Sequence, residues 1–196
     1  MRAVSAACGR YPLALRVLHW LIALMLAGQL TLGFVAEYGT SKAQSKDVLA
    51  WHFALGVSIF FLVIVRLSLR LILPLPAHAL HEPQGLRRAR AMVHVSLYLL
   101  LLALPISGHI IWVWMGADRN WFSVFELPAF FAPPAEDETG RTVAWYVHVY
   151  GAWTLIALVS LHVAAVLRQR REGNYIGRRM GFGRVRRQSP TLTEDA

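Results

Sequence analysis

Cysteine and the acidic residues, which carry much of protein chemistry, are scarce in this sequence. Its 196 residues include one cysteine, Cys8, and 11 aspartates and glutamates against 20 lysines and arginines. A lone cysteine excludes an intramolecular disulfide and a zinc centre built on several cysteines. No phosphate-binding loop and no nucleophile–base motif is visible either. The sequence therefore gives no support to hydrolytic or nucleotide-driven chemistry.

Long hydrophobic runs, in contrast, are abundant. Hydrophobic residues make up 56% of the chain, and they are gathered into four runs at about residues 13–36, 48–73, 91–115 and 143–167. At about 1.5 Å per residue, each run can cross a hydrocarbon core of about 30 Å as a helix. The sequence predicts an all-α membrane protein, a four-transmembrane-helix bundle that runs up-down-up-down.

The basic residues orient this bundle. Sixteen of the 20 lysines and arginines lie in the N-terminal arm, in the segment joining the second and third runs, or in the tail. The positive-inside rule then places both termini in the cytoplasm. We expect a transmembrane domain over residues 1–172 and a basic cytoplasmic tail over residues 173–196. The net charge of +9 reflects contact with the anionic leaflet, and no nucleic-acid-binding module is visible.

Six of the eight histidines fall near the ends of the four runs, three at each depth. Those toward the cytoplasmic side are His19, His94 and His162, and those toward the outer side are His52, His109 and His148. The other two, His78 and His81, lie in the connection between the second and third runs and are expected to be solvated. Two layers of imidazoles are thus predicted within one bundle.

His148 and His162 lie in the same apolar run, fourteen residues apart. On a helix this spacing gives about 21 Å of rise and leaves the two side chains about 40° apart around the axis. Polar side chains in hydrocarbon are costly and normally face the protein interior with a partner. Two imidazoles on opposite faces are the axial ligands of a low-spin haem, whereas zinc prefers three or four clustered ligands. This pattern favours haem, held without the C-x-x-C-H motif of covalent attachment, but spacing alone leaves open which four of the six histidines bind.

Small and basic residues near these histidines are further candidates for cofactor binding. Gly56 and Gly151 follow His52 and His148 by about one helical turn, where a missing side chain lets a flat macrocycle approach the backbone. Ordinary helix packing explains the two glycines equally well. Arg16 and Arg66 could pair with haem propionates, or could simply anchor the helix ends at the interface.

Several short motifs resemble the bacterial cytochrome b561 family of four-helix, di-haem inner-membrane proteins. They are RVLHWL at positions 16–21, WHFALG at 51–56, VRLSLRL at 65–71, HVSLYLLLLALPISG at 94–108, WYVH at 145–148 and LHVAA at 161–165. Their order and spacing together are more specific than any one of them. The resemblance covers nearly the whole membrane part and is loose beyond Gly173.

This resemblance implies particular ligands and a function. It pairs His19 with His162 at a cytoplasmic haem b and His52 with His148 at an outer haem b. It places His94 near a propionate, whereas His109 stands where the family usually has an aliphatic residue. The implied function is electron transfer between the outer face and the quinone pool, with ubiquinone as substrate and superoxide as one candidate donor.

Two other functions stay open at this stage. One is a haem-bearing membrane anchor subunit for a separate soluble redox enzyme. The other is a histidine-based metal or proton transporter, although the runs lack the charged residues near the membrane midplane that transporters use. An oxidoreductase is favoured over both. The oligomeric state is left open between a monomer and a homodimer.

Overall fold

The structure is a computed structural model, which describes residues 9–39, 41–76, 83–134, 138–172 and 179–181, with the backbone only for residues 42–44. Cys8, His78 and His81 lie outside the described residues. The expectation that the two histidines are solvated therefore concerns a part of the chain that the structure does not describe.

Four long helices contain most of the described residues. They are α1 (Leu13–Phe34), α2 (Lys42–Ile72), α3 (Gln84–Trp114) and α4 (Thr139–Arg171). All four are long and apolar enough to cross a membrane. A helix satisfies its own backbone hydrogen bonds, which is why apolar runs of this length adopt it in lipid. The predicted four-helix membrane bundle is confirmed.

Prolines and one glycine set several helix ends. Helix α1 begins directly after Pro12 and α3 directly after Pro83. Helix α2 ends where Leu73, the residue before a proline, turns to extended backbone with ψ 145°, because the proline ring disfavours a helical residue in front of it. Helix α3 is followed by Gly116 at φ +59°, a left-handed conformation that glycine adopts without steric cost.

The helices pack in chain order. Helix α1 lies against α2, α2 against α3, and α3 along α4, whereas no comparable packing joins α4 to α1 or α2 in the described part of the chain. Between the two histidine layers, Ile22, Ile59 and Val63 form a buried cluster. The bundle is therefore held together by α2 and α3, and it leaves a slot between α4 and the α1–α2 hairpin.

The connection from α3 to α4 contains a short hairpin that hydropathy did not predict. Its strands are β1 (Asn120–Trp121) and β2 (Phe125–Glu126), paired antiparallel. The Trp121 indole Nε1 donates a hydrogen bond of 3.0 Å to Ser58 Oγ. Since Ser58 lies six residues beyond His52 on α2, the hairpin packs against the side of this helix near the outer histidines.

We expect the bond between Trp121 and Ser58 to hold the hairpin on α2. Trp121→Phe and Ser58→Ala each remove one partner, and each should lower the opening free energy of the hairpin by about 1 kcal/mol. Hydrogen exchange of the hairpin amides measures this opening. The double variant should open no more easily than either single variant, and fully additive effects would contradict the interaction.

Candidate functional site

Four of the six membrane histidines form two pairs that bridge the slot beside α4. The outer pair is His52 on α2 and His148 on α4, with ring centres 6.0 Å apart. The inner pair is His19 on α1 and His162 on α4, with ring centres 6.4 Å apart. Helix α4 thus supplies one member of each pair, as the spacing of its two histidines predicts.

The separation within each pair has a chemical meaning. An imidazole–metal bond is about 2 Å long, so two imidazoles on opposite sides of one metal ion have ring centres about 6 Å apart. Both pairs have this separation, and both bridge helices that are not closely packed together. Each pair would suit the two protein ligands of a haem iron, His52 with His148 and His19 with His162.

Backbone carbonyls hold both rings of the outer pair. His52 Nδ1 lies 3.1 Å from the Gln29 carbonyl oxygen, and His148 Nδ1 lies 3.0 Å from the Leu104 carbonyl oxygen and 3.1 Å from Ser107 Oγ. Because a carbonyl can only accept, each Nδ1 carries the proton and donates it. The lone pair is then on Nε2, which is the arrangement a metal-binding histidine needs.

The outer pair lines an apolar cavity that is partly open to the surroundings. Its walls come from all four helices, and they include Leu26, Leu30, Ile59, Leu101, Pro105 and Leu155. Such walls exclude water and suit a largely hydrophobic ligand.

Two glycines that the sequence reasoning missed lie directly against the outer pair. A Cβ on Gly33 would stand 3.2 Å from His52 Cε1, and a Cβ on Gly108 would stand 3.1 Å from His148 Cε1. Gly108 belongs to the LPISG motif, so its presence was a usable signal. Ser107, which contacts His148 through its hydroxyl, was also missed, as were Gln29 and Leu104, whose backbone contacts leave no mark in a sequence.

The two glycines singled out from the sequence occupy different places. Gly56 lines the outer cavity, and a Cβ there would meet Gln29 Nε2 at 3.0 Å. Gly151 faces α3, where a Cβ would meet Leu104 Cδ2 at 2.9 Å. The position of Gly56 suits contact with a cofactor, whereas that of Gly151 suits close packing of α3 on α4.

His94 adds a third imidazole beside the inner pair. Its ring centre lies 5.2 Å from that of His162, and its Nδ1 lies 2.6 Å from the Arg90 carbonyl of its own helix. Distance alone would allow a pair with His162. However, α3 and α4 are packed directly together, so the space for a macrocycle favours His19 as the partner of His162.

Arginines surround the inner pair in two different ways. Arg66 donates to the Tyr98 hydroxyl, with its guanidinium 5.6 Å from the centre of that ring. Its buried Nε has no hydrogen-bond partner among the described residues, which leaves a cation suited to an anionic group such as a propionate. Arg16 donates instead to the Gly181 carbonyl at 2.8 Å, a contact that the sequence did not indicate.

His109 belongs to an aromatic cluster rather than to either pair. Its ring stacks on Phe53 at 6.1 Å and lies 5.5 Å from Phe130, while Phe53 stacks on Trp112 at 5.0 Å. No group of three or more histidines, cysteines or carboxylates that could hold a metal ion is found in the described ranges.

Comparisons with known proteins show which family this chain is similar to. A family model described as prokaryotic cytochrome b561 matches residues 10–183. A protein named cytochrome b561 homolog 2, from Escherichia coli (strain K12), is 27% identical over 157 residues, which are 78% of this chain and 80% of that protein. The family match covers all four helices and extends to the described residues 179–181.

The closeness of Gly108 to His148 leads to a prediction. Gly108→Ala places a methyl group against the imidazole, and the displaced ring should weaken ligand binding at the outer pair by about 1–3 kcal/mol. We expect less haem per chain and an altered haem absorption spectrum. Gly28→Ala is the control, because its methyl would meet only Leu55 Cδ2 at an ordinary 3.7 Å. Equal haem content in the two variants would contradict a close fit at His148.

Proposed function

The chain belongs to the prokaryotic cytochrome b561 family, and we propose that it carries electrons across the membrane through two b haems, between the outer face and the quinone pool. Membership makes it a multi-pass inner-membrane b-type cytochrome that takes part in electron transfer. The number of haems, their ligands, the sidedness and the redox partners are parts of the proposal.

The proposal rests mainly on the two histidine pairs, which lie at two different depths of the bundle. Both have ring-centre separations of about 6 Å, the distance expected for axial ligands of one metal ion. We assign His52 and His148 to an outer haem and His19 and His162 to an inner haem. When bound, haem supplies a one-electron iron couple, whose potential the protein tunes through ligands, burial and nearby charge.

Other residues orient, enclose or electrostatically complement these two sites. Gln29 and Leu104 orient the outer imidazoles through their carbonyls, and the apolar walls keep water from the outer cavity. The Nε of Arg66 has no hydrogen-bond partner within the part of the chain that the structure describes, and Arg66 lies close enough to His19 and His162 for electrostatic interaction. Both features support a propionate at the inner site. On α4, the two ligand levels are separated by about 21 Å of helix rise, so the sites span much of the hydrocarbon core.

The proposed orientation of the protein in the membrane is inferred from the distribution of its charged residues. The basic flanks of the helices put both termini, and with them the inner pair, on the cytoplasmic side. The outer pair then faces the periplasm, where a donor such as superoxide would arrive. Ubiquinone in the bilayer is the proposed partner of the other half-reaction.

A second candidate function is a haem-bearing anchor for a separate redox enzyme. It is supported by apolar side chains on the outer connection, where Val124 is 70% exposed and Phe130 77% exposed. An anchor would need its soluble partner for turnover, whereas a self-sufficient oxidoreductase would not. The transporter alternative has no comparable support among the described residues.

Replacement of single ligands tests the haem assignment. His52→Ala or His148→Ala should each remove one haem of two, and His19→Ala or His162→Ala should each remove the other. Reduced-minus-oxidised spectra of the purified variants measure this. The matched controls are His94→Ala and His109→Ala, which should keep both haems. The assignment would be overturned if a control variant lost a haem that is still bound when the ligand assigned to that haem is replaced.

Substrate assays test the electron path. In the purified protein alone, a ubiquinol analogue or superoxide should reduce the haems, and oxidised quinone should reoxidise them. Stopped-flow absorbance follows both half-reactions. If neither donor reduces haem in a protein with full haem content, the self-sufficient function is wrong and the anchor function is favoured.

A further inference from the structure

Three consecutive backbone carbonyls near the end of the described chain accept hydrogen bonds from Tyr11, just before α1, and from two side chains of α1. The carbonyl of Arg179 accepts from the Tyr11 backbone N–H at 3.3 Å. The carbonyl of Met180 accepts from Trp20 Nε1 at 3.0 Å, and that of Gly181 accepts from Arg16 Nη1 at 2.8 Å. We call residues 179–181 the tail clasp.

The two side chains that the tail clasp holds stand on either side of the ligand His19. Arg16 lies three residues before His19, on the same helix face, and the Trp20 ring centre lies 5.6 Å from the His19 ring centre. Trp20 is 49% exposed, so burial alone does not fix its position. The Met180 carbonyl restricts the Trp20 ring to one place beside the imidazole, and the Gly181 carbonyl fixes the Arg16 guanidinium at this end of α1.

From these contacts we propose that the tail clasp is a positioning element of the inner haem site. It holds Arg16 at this end of α1 and keeps the Trp20 ring against His19, where the ring shields the imidazole from water. The proposal rests on the assignment of a haem to His19 and His162. Arg16 and Trp20 act here through their position next to the ligand and are not ligands themselves.

The expected consequence is a change in reduction potential. Reduction removes one positive charge from a haem site, so a nearby cation and a dry environment both favour the reduced form. Release of the tail clasp frees the Arg16 guanidinium to move and admits water. Both effects shift the potential of the inner haem downward and leave the outer haem unchanged. The outer haem is therefore an internal control in every sample.

Two truncations of the full-length protein isolate the tail clasp. A chain ended after Glu172 lacks it, whereas a chain ended after residue 183 keeps it and loses only the remaining tail. In a redox titration that follows both haems, the shorter chain should show a lower potential for the inner haem, or loss of that haem alone. The longer chain should match the wild type. Equal shifts in both truncations, unchanged potentials, or loss of both haems in the shorter chain would overturn the proposal.

A substitution without change of charge decides the matter if a truncation disturbs folding. Trp20→Phe keeps an aromatic ring beside His19 but removes the N–H that the Met180 carbonyl accepts. It should lower the potential of the inner haem, by less than the short truncation does. Trp51→Phe, beside the outer His52, is the matched control and should leave the inner haem unchanged. An unmoved inner potential in Trp20→Phe contradicts the tail clasp, whereas absence of two haems in the wild type contradicts the proposed function itself.

Discussion

The structure around His52 and His148 depends on keeping two polar imidazoles in an apolar bundle without leaving their Nδ1 atoms unpaired. A polar group buried in hydrocarbon without a partner costs several kcal/mol (about 2–7), so a histidine in such a place needs a bond at each nitrogen. At the outer pair, each Nδ1 has a backbone acceptor and the Nε2 atoms are left for a metal. The separation of α4 from α1 and α2, the small residues beside the rings and the apolar cavity all follow from this requirement.

The two pairs have different surroundings. Around the outer pair, rigid elements do the positioning, since helix carbonyls orient the rings and Gly33 and Gly108 allow close approach. Around the inner pair, the neighbours are polar or charged side chains: Arg66, a third imidazole on His94, and, three residues before His19, Arg16 held by the Gly181 carbonyl. Haem potential responds to burial and nearby charge, so two haems with the same ligands would differ in potential. A difference of this kind gives an electron path its direction.

The sequence predicted the helices well because lipid leaves little choice of structure for long apolar runs. Hydropathy placed the starts of α2, α3 and α4 and the end of α4 inside the observed bounds, since a helix continues into the interface where charged residues can reach water, and it placed the ends of α2 and α3 one residue beyond them. The β1–β2 hairpin escaped prediction because its turn residues Phe122 and Ser123 take positive φ, which neither residue type signals.

The site was predictable only in part. The spacing of His148 and His162 indicated one helix with ligands at two depths, because helix periodicity is fixed by the backbone. Their partners on other helices depend on how far each helix is shifted along its neighbour, which spacing within one helix does not contain, and the family resemblance supplied them. Backbone acceptors such as Gln29 and the carbonyls of the tail clasp have no sequence signal at all, since every residue carries a carbonyl.

The most direct test of this account is the ratio of haem b to polypeptide in the purified wild-type protein. Pyridine haemochromogen absorbance together with quantitative amino-acid analysis gives this ratio. The account predicts two haems b per chain, one for each imidazole pair. A single haem would contradict the assignment of one pair, and absence of haem b would contradict the account as a whole.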